Sequence, residues 1–161
     1  MAIPQRIRDH LDSQNVSYEI LHHSQAFTGQ EVAHSLHVSG KVCVKGVVVG
    51  GDKKPILALM PASNRLNFQQ LKAALKASHL EMFPESELVK LFPDCDLGAV
   101  PPFGSLYGID VWVDRAVASA EKILFCAGTH EDSIRMTYAD FARLTQPYLG
   151  NFSELREAKA A

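Results

Sequence analysis

One lysine stands inside an otherwise apolar run, "KVCVKGVVVG" at 41–50. Val42, Cys43, Val44, Val47, Val48 and Val49 suit a strand covered on both faces, and Lys45 breaks that pattern. An ammonium buried without a partner costs several kcal/mol or loses its proton more easily. A period of two puts Cys43, Lys45, Val47 and Val49 on one face, with Val42, Val44, Gly46 and Val48 on the other. Two roles fit this lysine. It is an edge-strand residue whose ammonium reaches water, or a pocket cation that binds a phosphate or carboxylate. Gly46 favours the pocket, because a strand glycine often marks close approach by a ligand or another backbone.

The loop "GAVPPFG" (98–104) is the second candidate. Its prolines and bracketing glycines fix an exposed backbone path that can offer N–H and C=O groups to a ligand with little ordering cost. A purely structural crossover is the alternative. The isomer of the peptide bond before Pro102 is not readable from sequence. The third candidate is "CAGTHEDS" (126–133), where a strand ends at Gly128 and Thr129 and His130 occupy the turn. A histidine there is either a solvent-facing turn residue or part of a site, depending on partners the sequence does not reveal.

The remaining groups say less. His22 and His23 end a strand, and His34 and His37 lie three apart on a helix, which leaves a zinc site short of ligands. Asp94 and Asp96 flank Cys95 in a loop. The chain has no G-x-G-x-x-G after a strand, no Walker A loop, no H-E-x-x-H, no C-x-x-C and no G-x-S-x-G elbow. Covalent catalysis and nucleotide-cofactor chemistry therefore have no sequence support, and no metal or cofactor is expected.

The elements that must position these groups follow from periodicity and caps. Ile3, Ile7 and Leu11 predict a helix over 3–14, and "VSYEILHH" a strand over 16–23. Thr28 and Glu31 form a capping box for a helix from Gly29 to about His37. The strand 41–49 and "PILALMP" (55–61) flank "GGDKK", which predicts a hairpin. Helices are expected at 67–77, capped by Asn67, and at 85–92. A Gly- and Pro-rich loop spans 93–108, followed by strands at 109–114, 122–128 and 133–138. A last helix starts at Thr137 or Tyr138 and stops before Pro147. The tail "ELREAKAA" is expected to be a frayed helix or disordered. This order lacks a regular βαβ rhythm. It predicts an α+β single domain over 1–161, with a mixed, mostly antiparallel sheet and surrounding helices.

With 161 residues, 47% hydrophobic content and a formal charge of -2, the chain can bury a core and carries no polybasic signature. Broad nucleic-acid binding is not expected, though a few phosphate contacts are compatible with that charge. Cys43, Cys95 and Cys126 form no close-spaced motif, which suits a reducing cytoplasm. Neither a signal peptide nor a membrane span is expected.

The strand lysine, the G-x-x-x-P loop and the G-T-H turn occur in an order that resembles the YbaK and prolyl-tRNA synthetase associated editing-domain family. "TGQEVA", "VCVKGVVV", "LALMPASNRLN", "LFPDCDLGAVPPFG" and "AGTHEDSIRMTYADF" are similar to family blocks, from about Phe27 to Pro147. The resemblance implies hydrolysis of the ester joining a wrong amino acid to the 3′-terminal adenosine of a tRNA, tRNA(Pro) first among them. It implies an aminoacyl-tRNA acceptor end and prolyl-tRNA synthetase as partners, with no DNA or membrane. Lys45, His130 and Gly98 take catalytic roles in this reading. Thr28, Gly46, Ala99, Val100, Pro101, Pro102, Phe103, Gly128 and Thr129 contact substrate. Gly46 departs from relatives that carry a polar or larger residue there, so the amino acid removed is left open among alanine, serine, threonine, cysteine and non-protein residues. A non-catalytic module for an acceptor end or synthetase, and a small-molecule binder, are the competing readings.

Overall fold

The structure is a computed structural model that describes residues 2–26, 28–52 and 54–156. Six helices and ten strands are assigned among them: α1 (Gln5–Ser13), β1 (Tyr18–His22), α2 (Gly29–Ser35), β2 (Cys43–Gly51), β3 (Ile56–Pro61), β4 (Asn64–Leu66), α3 (Phe68–Leu75), β5 (Leu80–Met82), α4 (Glu85–Leu91), β6 (Asp110–Asp114), α5 (Arg115–Ala118), β7 (Lys122–Cys126), β8 (Asp132–Thr137), α6 (Tyr138–Thr145), β9 (Tyr148–Gly150) and β10 (Ser153–Leu155). A 3-10 turn at Gly104–Tyr107 closes the long loop.

The main sheet runs β1-β8-β7-β2-β3-β6-β9, with β5 added to β2. The β2/β7, β3/β6 and β6/β9 pairs are parallel, and the other pairs are antiparallel. The expected hairpin is present, with Lys45 opposite Met60 and Val47 opposite Ala58. Thr28 and Asn67 cap their helices by accepting the N–H groups of Glu31 and Gln70. The described peptide bonds are all trans, that before Pro102 included.

The two faces of β2 are packed differently, and this places the lysine. Val44 and Val48 join the main core with Ile7 and Leu11 of α1, Phe103, Phe125 and Phe141. On the opposite face, Cys43 packs with Val32 and Ala33 of α2, while Val47 and Val49 pack with Met60, Leu71 of α3 and Phe152. Lys45 falls between those two clusters.

The C-terminal segment differs from expectation. Residues 153–155 form a strand that pairs with β4, and Arg65 and Glu154 bridge the pair at 3.0 Å. Asp114 fixes the approach, because its buried carboxylate accepts the N–H groups of Phe152 and Ser153, both at 2.9 Å. An acid 38 residues upstream that satisfies two backbone donors leaves no local signature. The end of the tail, 157–161, lies outside the described residues.

Candidate active site

β2 is an interior strand, yet one stretch of its edge is open. Val44 to Val49 pair with β3 on one side. On the other side β7 takes Cys43 and Val44, β5 takes Val49 to Gly51, and no strand pairs with the residues between. The Ala62 N–H donates to the Cys43 carbonyl at 2.7 Å, so Cys43, Lys45 and Val47 direct their peptide groups toward β3. Gly46, one residue out of phase, directs its N–H and C=O into the gap. The carbonyl of Val48 on that side accepts the Phe83 N–H at 3.0 Å.

A cavity of about 150 Å³ occupies this gap, with Lys45 and Gly46 on one wall and Gly98 and Val100 among its other lining residues. Met82, Phe83 and Leu88 close it, and Cys126 at the end of β7 completes it. Lys45, Gly46, Gly98 and Val100 are among the site residues expected from sequence, and the fold brings them to one cavity. Phe83, Leu88 and Cys126 were not expected, because only the folded sheet brings "MF" after β5 and the end of β7 to the same gap.

Burial lowers the ammonium of Lys45 to about 8, and the nearby Arg156 guanidinium pushes the same way. Burial raises the Cys126 thiol to about 11 despite a hydrogen bond with Ser133, so it stays protonated at neutral pH. Among the described residues the lining has no carboxylate, histidine or hydroxyl side chain. Its polar groups are one ammonium, one thiol and backbone amides.

The loop opposite Lys45 is held from behind. Asp96 N–H donates to the Gly128 carbonyl at 2.7 Å, and Gly128 N–H donates to the Ala99 carbonyl at 2.9 Å. The Ala99 N–H is taken by the Asp96 carbonyl at 3.0 Å. His130 is buried, with Nε2 2.8 Å from the Leu97 carbonyl and Nδ1 3.1 Å from the Ala26 carbonyl. Gly98 needs its glycine, since φ is +87° and a Cβ would lie 3.4 Å from His130 Cε1. Gly128, at φ +88°, leaves space that Pro4 Cδ would otherwise lose, at 2.7 Å from a Cβ. The start of the loop is tied to α1: Arg6 meets Asp94 at 2.8 Å and Tyr107 donates to the same acid at 3.0 Å.

The other expected site residues lie around this brace. Pro101, Pro102 and Phe103 are buried, and Phe103 packs edge-on to Phe125 in the core. Thr129 is buried, and its hydroxyl accepts the Glu131 N–H at 3.2 Å. Thr28 borders a separate shallow groove with Gln30, Glu31 and His34. Gly46 is also not what its sequence position suggested. A Cβ there would meet Leu57 Cδ1 at 2.9 Å and Leu59 Cδ2 at 3.1 Å, so core leucines fill the space and only its backbone faces the cavity.

Among the described residues no three His, Cys, Asp or Glu side chains converge as metal ligands. No helix among the described residues is long and apolar enough to cross a membrane.

The chain is similar to proline–tRNA ligases, at 29% identity over 132 residues to that of Streptococcus gordonii and 28% over 103 residues to that of Bacillus mycoides. These matches cover 82% and 64% of the chain but only 20% and 18% of the ligases, so the chain spans about a fifth of those relatives. Among solved structures, protein APE2540 superposes with a TM-score of 0.83 at 21% identity, covering 92% of this chain and 99% of that one. A protein described as a candidate trans-editing enzyme for prolyl-tRNA synthetase gives 0.82 at 20% identity, covering 93% and 96%. These likenesses establish the fold, and the family follows from sequence. The profile of the aminoacyl-tRNA editing domain matches residues 23–144, the stretch that carries Lys45, the Gly98 loop and the His130 brace, and the chain belongs to that family.

Proposed function

We propose that this protein hydrolyses the ester joining a non-cognate amino acid to the 3′-terminal adenosine of a tRNA, with tRNA(Pro) as the principal substrate. The observation that carries the reading is Lys45 and Gly98 lining one apolar cavity with an unpaired strand edge. Its volume of about 150 Å³ matches cavities that take a benzene-sized guest. An aminoacyl group of two to four carbons fits such a space. An adenosine does not, so ribose and base lie at the mouth.

The chemistry needs no protein nucleophile. An aminoacyl ester is already activated, and attack by water places negative charge on the former carbonyl oxygen. Gly46 N–H and the protonated Lys45 would favour that charge. Gly98 and Val100 fix the ester from the opposite wall. A ribose hydroxyl of the substrate serves as the nearby group that relays the proton. The acyl–oxygen bond then breaks and the ribose oxygen takes the proton.

The lining also narrows the amino acid. Apart from the Lys45 ammonium and the weakly donating Cys126 thiol, no side chain among the described lining residues can hydrogen-bond a substrate hydroxyl, so alanine and its one-carbon homologue should be preferred over serine and threonine. An apolar pocket discriminates only modestly, roughly 10–200-fold per methylene and about 100-fold against a hydroxylated isostere. Such limits are why a separate editing step is useful. The site of action would be the cytoplasm, where tRNAs are charged, alongside prolyl-tRNA synthetase.

The test is hydrolysis of a panel of tRNAs charged with alanine, 2-aminobutyrate, serine, threonine, cysteine and proline. Turnover of the small apolar esters well above their spontaneous rate supports the reading. A panel in which every ester decays at its spontaneous rate leaves a binding module as the better account.

A further inference from the structure

The opening helix holds both ends of the loop that walls the cavity. Ile7 and Leu11 bury one face of α1 in the core, and the His10 ring lies edge-on to Phe103 at 6.1 Å. Arg6 therefore projects from a fixed backbone, and its guanidinium meets three groups at once. Nε lies 2.8 Å from Asp94 Oδ2, Nη1 donates to the Leu106 carbonyl at 3.3 Å, and Cζ sits 4.5 Å from the centre of the Tyr107 ring. Tyr107 closes the circuit, since its hydroxyl donates to Asp94 Oδ1 at 3.0 Å. Asp94 stands at the start of the loop and Leu106 and Tyr107 at its end, with Gly98 and Val100 of the cavity wall between them.

We infer that Arg6 is a positioning residue for the cavity wall: it clamps the two ends of the 94–107 loop and so sets where Gly98 and Val100 stand against Lys45. This rests on the proposed reading of the cavity, and it adds a residue outside the stretch 23–144 that the family profile matches. A guanidinium suits the role because its planar fork can hold a carboxylate and a carbonyl while its face lies over an aromatic ring. Solvent-exposed ion pairs of this kind add little to global stability. The effect of losing this one is therefore local to the loop.

The experiment follows amide hydrogen exchange by NMR in wild type, Arg6→Ala and Arg6→Lys, beside single-turnover hydrolysis of Ala-tRNA(Pro). The reporters are the bonded N–H groups of Asp96, Ala99 and Gly128, with the amides of β3 and β6 as controls. Arg6→Ala should raise exchange at the reporters about tenfold and leave β3 and β6 as in wild type. Its hydrolysis rate constant should fall about 5–20-fold, with the half-saturating tRNA concentration changed less than about twofold. Arg6→Lys should recover part of both losses, because it restores the charge but not the fork. Unchanged reporter exchange in Arg6→Ala overturns the inference, and so does a rise shared equally by β3 and β6. With an active wild type, altered exchange at an unchanged rate overturns it too, as does a loss confined to half-saturation. A wild type that hydrolyses no ester while the reporters respond would remove the hydrolase and leave the clamp. Rapid hydrolysis by wild type with indifferent reporters would do the reverse.

Discussion

His130 Nε2 lies 2.8 Å from the carbonyl oxygen of Leu97, the residue before Gly98, and its Nδ1 lies 3.1 Å from the carbonyl of Ala26. Both ring nitrogens face the backbone, so this side chain ties the G-x-x-x-P loop and the segment before α2 to the turn after β7. It lies behind the cavity wall and is not among the residues that line the cavity. His130→Ala should therefore lose stability, roughly 1–3 kcal/mol for the carbonyl left without its donor, and lose turnover through a loosened loop. Urea unfolding beside single-turnover hydrolysis checks this, with His130→Asn expected to recover part of both. A variant as stable as wild type but slow would mean that the ring takes part in the chemistry directly.

Gly98→Ala probes the same wall from the front. An alanine at φ +87° costs about 1–2 kcal/mol in backbone energy and presses on the His130 ring. The expected outcome is a small drop in unfolding midpoint and at least a tenfold loss of turnover. Normal turnover would show that the loop path tolerates displacement.

How much of this was legible depended on the range of the signal. Lys45 stood out because one residue in an apolar strand is a local anomaly, and the Gly and Pro loop announces itself through backbone restriction. Thr28 and Asn67 caps, likewise, involve residues three apart. What escaped was long-range. The open edge of β2 exists because β7 and β5 each pair with only part of it, and nothing in "KVCVKGVVVG" encodes where partner strands stop. Tail residues 153–155 become a strand through Asp114, far upstream. Gly46 drew attention as a specificity position, whereas its missing Cβ is explained by Leu57 and Leu59, which only the register with β3 brings there.

That last point gives a prediction of its own. Gly46→Ala should overpack the core against Leu57 and destabilise by about 1–3 kcal/mol. Adding Leu57→Val should restore part of the loss, which a double-mutant cycle in urea measures. Additive effects of the two changes would place the clash elsewhere.

Lys45 should set opposite trends for activity and stability. Its ammonium is lowered from 10.5 to about 8 in the fold, so the unfolded chain binds more protons between those values. Stability from this group is lowest below about pH 8 and rises as the pH climbs toward 10.5. Turnover should fall over the same rise, because the cation is lost. Lys45→Met should be at least as stable as wild type at pH 7 and should lack both trends. A lysine-dependent gain in turnover above pH 8 would instead make the neutral amine the working form.

Single-turnover hydrolysis of Ala-tRNA(Pro) by wild type and Lys45→Ala, beside correctly charged Pro-tRNA(Pro), tests the central claim most directly. The account predicts rapid loss of alanine with wild type, a rate about 100-fold lower or worse with Lys45→Ala, and sparing of the prolyl ester. Equal rates for the two proteins on Ala-tRNA(Pro) would contradict it.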